Sequence, residues 1–348
     1  MRVAVDVMGG DHAPGEILKG CVLAADVLGD GDEIVLVGPA GVIREHLAEV
    51  GFDDPRYSIV DAPDVIAMDD HNPAKAVRSQ TDSSIVKMAL LGSGKSENPC
   101  DVVVSAGNTG ACVTAAFMHM KRLPGAHRPG IAVTIPAFHG PVVLCDAGAN
   151  PEPKAVHLWQ YAVMADVLAR EVQGIEQPRV ALMNIGSEEA KGSDVVKEAR
   201  NLLRATPGIN YIGFIEGRDF FAGVADVIVT DGFVGNTVLK MAEGMAKSLF
   251  QAIAQEIFET DPDLAVKFEP IVKQIYAKND YHEYGGAPLL GVNGAMTISH
   301  GSSEARSIRA AIRNSLEFVR HDVNAHIKRR FDEVSGVEAQ VAAAAEAG

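Results

Sequence analysis

Short runs rich in Val and Ile recur along this chain and alternate with segments of helical period. They are VAVDV at 3–7, EIVLVG at 33–38, DVVVSAG at 101–107, GIAVTIP at 130–136, PVVLCDAG at 141–148, RVALMNIG at 179–186 and DVIVTDGF at 226–233. A strand that is apolar on both faces must be covered on both, and strands separated by helices pair in parallel. The pattern therefore predicts an α/β protein with a mainly parallel sheet between two helical layers. Nearly every run closes on Gly, Asp, Asn or Ser. In doubly wound sheets ligands bind outside the carboxyl ends of the strands, so these turns are where such a fold puts its chemistry.

After residue 232 the pattern changes. VLKMAEGMAKSLFQAIAQEIF reads as one long helix, Thr-Asp-Pro-Asp at 260–263 breaks it, and LAVKFEPIVKQIYAK resumes it. The expectation is a single catalytic domain over residues 1–335. A helical hairpin at about 238–280 projects from it, and an Ala-rich tail, 336–348, frays. The apolar stripe of the hairpin needs cover from the core, from a dimer partner, or from a membrane surface at its tip.

Composition narrows the function. A net charge of −15 argues against general nucleic-acid binding, which needs clustered cations to displace counterions, and it disfavours anionic membranes. No apolar run reaches the ~20 residues that span a bilayer. The opening MRVAVDVMGG runs straight into a strand, without a leader pattern, so the cytoplasm is the expected compartment. Cys21, Cys100, Cys112 and Cys145 lack CxxC or Cys/His spacing, which points to reduced structural thiols and away from disulfides or a metal site. GSGKS at 92–96 resembles the end of a P-loop. Ala89 stands where its first glycine belongs, however, and a helical segment, not a strand, precedes it. No GxGxxG occurs, so neither nucleotide signature applies.

Five constellations can carry chemistry. In the first, residues 6–14, Gly9 and Gly10 let the backbone approach a ligand ahead of a helix start, where Asp11 either serves the ligand or caps the helix. In the second, SAGNTGA at 105–111, Gly107, Asn108, Thr109 and Gly110 offer side-chain donors and backbone amides to one oxyanion. Cys112, just inside that helix, reads as an acyl-accepting nucleophile or as a small core residue, and no base is placed to activate it. In the third, NIGSEEAKGSD at 184–194, Asn184, Glu188 and Lys191 fall within two turns. On a helix Glu188 and Lys191 would share a face, either as a surface ion pair or with Lys191 as a fixed cation beside phosphate. In the fourth, TDGFVGNT at 230–237, Asp231 ends a strand and Asn236 opens a helix, as oxyanion donor or as cap. The fifth joins YGGAPLLGVNG at 284–294 to SHGSS at 299–303, where His300, Gly301, Ser302 and Ser303 precede a helix start that suits an anion.

Taken in order, MGGDHAP, SAGNTGA, NIGSEEAKGSD, DGFVGN, YGGAPLLGVNG and HGSS resemble the PlsX family of phosphate acyltransferases over residues 1 to about 320. The resemblance implies a homodimeric three-layer α/β/α fold akin to isocitrate dehydrogenase and phosphotransacetylase. It also implies transfer of an acyl group from acyl carrier protein (ACP) to inorganic phosphate, feeding phospholipid synthesis, without cofactor or metal. By motif match the family's active-site lysine and asparagine fall on Lys191 and Asn236. Phosphate and the developing thioester oxyanion then need two anion sites, the glycine turns with Lys191 serving phosphate and Asn236 the carbonyl.

Two departures stand out. Around residues 68–84, Pro73, Arg78, Ser83 and Ser84 keep the family's pattern, while Gln80 and Thr81 stand where lysines are usual. The hairpin tip is more acidic than the apolar, basic tip through which the family touches membranes, which weakens the expectation of peripheral contact at the inner face of the membrane. ACP is itself acidic, so a local basic patch must offset long-range repulsion. Residues 119–129, with Lys121 and Arg122, are one candidate, and Arg306, Arg309 and Arg313 are another.

Overall fold

The computed structural model describes residues 1–137, 139–260, 264, 266–271 and 285–347. Strands β1 (Arg2–Asp6), β2 (Glu33–Gly38), β3 (Tyr57–Asp61) and β4 (Val102–Ser105) build one half of the sheet, with helices α1 (Gly15–Leu23), α2 (Ala40–Glu49), α3 (Pro73–Ser79) and α4 (Ser84–Leu91) between them. Next come α5 (Thr109–Ala115), β5 (Gly130–Ile135), β6 (Val142–Cys145), α6 (Ala155–Glu171), β7 (Arg179–Met183), α7 (Asp194–Ala205), β8 (Asn210–Ile215) and β9 (Val227–Val229). The chain closes with α8 (Gly232–Thr260), β10 (Ala287–Leu290), β11 (Ala295–Ile298), α9 (Ala305–Arg320), α10 (Val323–Glu333) and α11 (Val337–Ala347).

Among the described residues eleven strands form one sheet in the order β3-β2-β1-β4-β11-β10-β5-β6-β9-β7-β8. The central runs are buried along their length, as in RVAVD and VVVS, because helices cover both faces. The edge strands β3 and β8 are half-exposed and carry polar residues, which is why their apolar signal in the sequence is faint. The sheet is mainly parallel, as the pattern predicts, with one interruption in the middle. β5 and β6 are joined by too few residues for a crossover helix and pair antiparallel, Ala132 opposite Cys145. β10 and β11 form a second antiparallel hairpin, turned by Gly291 and Gly294 at φ +86° and +148°.

The two hairpins reverse the chain. β1, β4 and β11 run one way, and β6, β9 and β7 run the other. The strand-end turns therefore divide between opposite edges of the sheet.

α8 is roughly 40 Å long and buries little of itself beyond Gly232 and Gly235. Met241, Met245, Leu249 and Ile253 repeat every fourth residue and form an exposed apolar stripe. The second arm of the expected hairpin is helical at 264 and 266–271; its break at 261–263, residue 265 and residues 272–284 lie outside the described residues. The C-terminal segment, expected to fray, is helical as α11, and Val337 is buried in the main core cluster.

Candidate active site

Three strand-end turns meet at the edge formed by β1, β4 and β11. Asp6 ends β1 fully buried and accepts hydrogen bonds from the Ser105 hydroxyl at 2.7 Å and the Met8 amide at 3.1 Å. Burial pushes its carboxyl above the usual range, against those donors. A Cβ on Gly9 would come within 2.6 Å of the Gly107 amide nitrogen, so any other residue would force the turns after β1 and β4 apart. The third turn joins through backbone: the Asp11 amide donates to the Gly301 carbonyl at 2.7 Å.

Several polar groups expected to await a ligand here are already committed. Asn108 caps α5, its Oδ1 accepting from the Ala111 amide at 3.0 Å, while its Nδ2 donates to the Met68 carbonyl at 2.9 Å. The first amide of α9 donates to the Glu16 carboxylate at 3.0 Å, so this helix start is satisfied from α1 instead of standing open to an anion. Ser302 is paired with His300 Nδ1 at 2.8 Å, and Ser303 is buried. Asp11 does not cap α1, whose N-terminal position is Pro14, and stays exposed. Cys112 is a core residue: it is fully buried against the Ser105 hydroxyl, and burial pushes its thiol up to about 12.

At the opposite edge Asp146, just after β6, organises the backbone. Its Oδ1 accepts from the amides of Ile131, Gly148 and Ala149 at 3.0, 3.1 and 2.9 Å, and its Oδ2 from that of Asn150 at 2.7 Å. α8 starts on this turn. The Gly232 amide donates to the Asn150 carbonyl at 2.8 Å, and a Cβ on Gly235 would overlap the Asp146 carbonyl oxygen. Asp231 caps the helix through the Val234 amide at 2.8 Å. Asn236 follows, half-buried beside Gly148, and its amide has no hydrogen-bond partner among the described residues.

Between the two edges lies a groove of about 560 Å³, lined by β5 and α8. Ile131, Val133 and Ile135 line it from the sheet, and Leu239, Ala242 and Ala246 from the helix. Asn236 and Gly148 border it from one side of the sheet, and Asp11, Thr109, Ser299, His300 and Gly301 from the other. Ser299 is only 5% exposed, and its hydroxyl has no partner among the described residues. The sequence reading named neither Ser299 nor Asp146. Asp146 was legible as a polar strand end, whereas the isolation of the Ser299 hydroxyl follows only from packing.

Residues 184–193 form a loop, not a helix, so Glu188 and Lys191 do not share a helical face; α7 begins only at Asp194, capped by Ser193. Asn184 holds the loop closed, its Nδ2 donating to the carbonyls of Gly186 at 3.1 Å and Lys191 at 3.2 Å. Lys191 is exposed, and among the described residues no ion pair joins it to Glu188. The loop sits at the carboxyl edge that also carries Asp146 and Asp231, because β6, β9 and β7 are parallel, but its side chains do not line the groove.

The family described as "Fatty acid synthesis protein" matches residues 1–326. A phosphate acyltransferase of Heliobacterium modesticaldum is 45% identical over 331 residues, covering 94% of this chain and 97% of the relative. Another, from Desulfitobacterium hafniense, is 44% identical over 332 residues, with the same coverage of 94% and 97%. The chain belongs to the PlsX family. It is an acyltransferase.

Among solved structures, this PlsX-family chain superposes on the EutD phosphotransacetylase of Staphylococcus aureus with a TM-score of 0.58 at 15% identity, covering 92% and 93% of the two chains. A phosphotransacetylase of Streptococcus pyogenes gives the same TM-score of 0.58 at 19% identity, covering 92% and 94%. At that identity the likeness is one of fold, and it places the interrupted parallel sheet and its covering helices in the phosphotransacetylase architecture.

Proposed function

We propose that this PlsX-family acyltransferase moves the acyl group of acyl-ACP to inorganic phosphate, giving acyl phosphate for phospholipid synthesis and releasing free ACP. The groove carries the reading: an apolar channel bordered by two polar side chains, Asn236 and Ser299, that have no hydrogen-bond partner among the described residues. A fatty chain fits against Ile131, Val133, Leu239, Ala242 and Ala246, and a reacting head group finds donors at the margins. The names of the relatives support phosphate as the acceptor.

In this reading a phosphate oxygen attacks the thioester carbonyl carbon and forms the new C–O bond. The carbonyl oxygen becomes an oxyanion, to which the Asn236 amide donates. Collapse breaks the C–S bond, and the thiolate leaves with ACP and takes up a proton. Phosphate is a modest nucleophile, so holding it still supplies much of the rate. The turns at Gly9–Asp11 and Gly107–Gly110 hold it with the Ser299 hydroxyl, while Lys191, on a loop whose side chains do not line the groove, adds positive charge from a distance. No nucleotide, metal or other cofactor enters the chemistry.

A second copy of the chain covers the exposed stripe of Met241, Met245, Leu249 and Ile253. The enzyme works in the cytoplasm, and any membrane contact is peripheral, through the hairpin tip. Among the described residues no helix is long and apolar enough to cross a bilayer.

The test is incubation with acyl-ACP or acyl-CoA, with and without phosphate, trapping acyl phosphate as the hydroxamate. Phosphate-dependent product from acyl-ACP is expected. Equal turnover of acyl-CoA would favour a phosphotransacetylase-like activity, and binding of ACP without product would make the chain a carrier-binding protein.

A further inference from the structure

A chain of net charge −15 contains no Asp or Glu at all from residue 102 to residue 145. Within that stretch stand Lys121, Arg122 and Arg128, with His119 and His127. Lys121, Arg122, His127 and Arg128 are exposed, and among the described residues none of them is in an ion pair. Several arginines elsewhere are neutralised within the fold: Arg179 by Asp226 at 2.7 Å, Arg56 by Asp54 at 2.6 Å and Arg309 by Asp26 at 2.7 Å. The last pair removes Arg309 from the alternative cluster on α9.

The two arginines, Arg122 and Arg128, are fixed in place. Arg122 donates to the His127 carbonyl at 3.0 Å, and its guanidinium lies 5.9 Å from the ring centroid of Phe117, which is 48% exposed. Residues 117–127 enclose a concavity of about 700 Å³. His157 lies against this patch, and burial and then the charge of Arg128 hold its pKa below the usual range, with His127 and Lys154 adding to the effect. Arg128 donates to Asn150 Oδ1 at 3.3 Å, and the Asn150 backbone bonds both Asp146 and Gly232. The patch is therefore continuous with the turn on which Asn236 is mounted.

We infer that Lys121, Arg122, Arg128 and the exposed Phe117 form the docking surface for the acidic carrier protein that delivers the thioester. The inference rests on the acyl-ACP reading above. The charge logic is direct: an acidic partner meets long-range repulsion everywhere except where the acids are missing, and a positive patch beside the site both attracts it and sets its orientation. Phe117 supplies apolar contact within the ring of charge, as interface cores do.

The experiment compares Lys121→Glu/Arg122→Glu with the wild type on acyl-ACP and on a short-chain acyl thioester of N-acetylcysteamine, which has no carrier. Direct binding of ACP is measured by fluorescence anisotropy. The variant should raise KM for acyl-ACP by about tenfold or more, lose most of its salt dependence, and keep its kcat and its kinetics on the small thioester. Unchanged KM for acyl-ACP, or equal loss on both substrates, overturns the docking surface. Should the wild type bind ACP without turning it over, loss of binding in the variant upholds the surface while the acyl-ACP activity fails. If the wild type neither binds nor turns over ACP, both fall.

Discussion

Asn236 and Lys191 differ in how much the fold invests in them. Asn236 stands on a helix start fixed by Asp146, Asn150 and Asp231, with its amide unpaired among the described residues, so its position is set before substrate arrives. Lys191 projects from a loop that Asn184 merely closes, and among the described residues nothing pairs with its ammonium. Asn236→Ala should lower kcat about 10²–10³-fold, the loss typical of one oxyanion donor, with Tm unchanged. Lys191→Ala should act mainly through a higher KM for phosphate. Steady-state kinetics alongside thermal melts check both: near-normal kcat in Asn236→Ala, or an unchanged KM for phosphate in Lys191→Ala, would remove that residue from the site.

Elements meet closely where glycine permits it. Gly20 of α1 faces α9, and a Cβ there would lie 2.5 Å from Ile308 Cβ and 2.8 Å from the Ala305 carbonyl oxygen. Gly20→Ala must spread the two helices and should cost about 1–3 kcal/mol. Gly41 of α2 has nothing within 4 Å of the same added atom, so Gly41→Ala should be neutral or stabilising by up to about 1 kcal/mol. Urea titration of the pair separates a packing effect from a backbone effect; a Gly20→Ala variant no less stable than Gly41→Ala would contradict the helix contact. The sequence presents both as glycines in helices. Only the crossing of α1 over α9 distinguishes them.

The whole molecule is threaded by one sheet, and its halves are joined through the β10/β11 hairpin and β5. No boundary interrupts the hydrogen-bonded ladder, so residues 1–335 should unfold as a unit. Trp159 is the single tryptophan, 2% exposed with its indole N–H on the Thr206 hydroxyl at 2.7 Å, and it reports on the half built around α6 and α7. Far-UV circular dichroism reports on all elements. The two transitions in urea should coincide, and a separate early fluorescence transition would show two independently stable halves.

Much of this was legible in the residues themselves. Runs such as VAVDV and DVVVS declare buried strands because no polar side chain interrupts them, and the order of the glycine-rich turns is enough to place the chain in its family. Chain direction was not legible, because an apolar strand reads the same whichever way its neighbour runs. Only the short connection at 136–141 and the turn at Gly291–Gly294 turn β6 back along β5 and β11 back along β10. That reversal separates the turns of Asp6 and Gly107 from those of Asp146 and Asp231 and leaves α8 to form the groove between them. The identity of the polar groups was set by sequence; which of them are spent was decided by packing. Asn108 is consumed as a cap and the α9 amide by Glu16, whereas among the described residues no neighbour pairs with the side chains of Asn236 and Ser299.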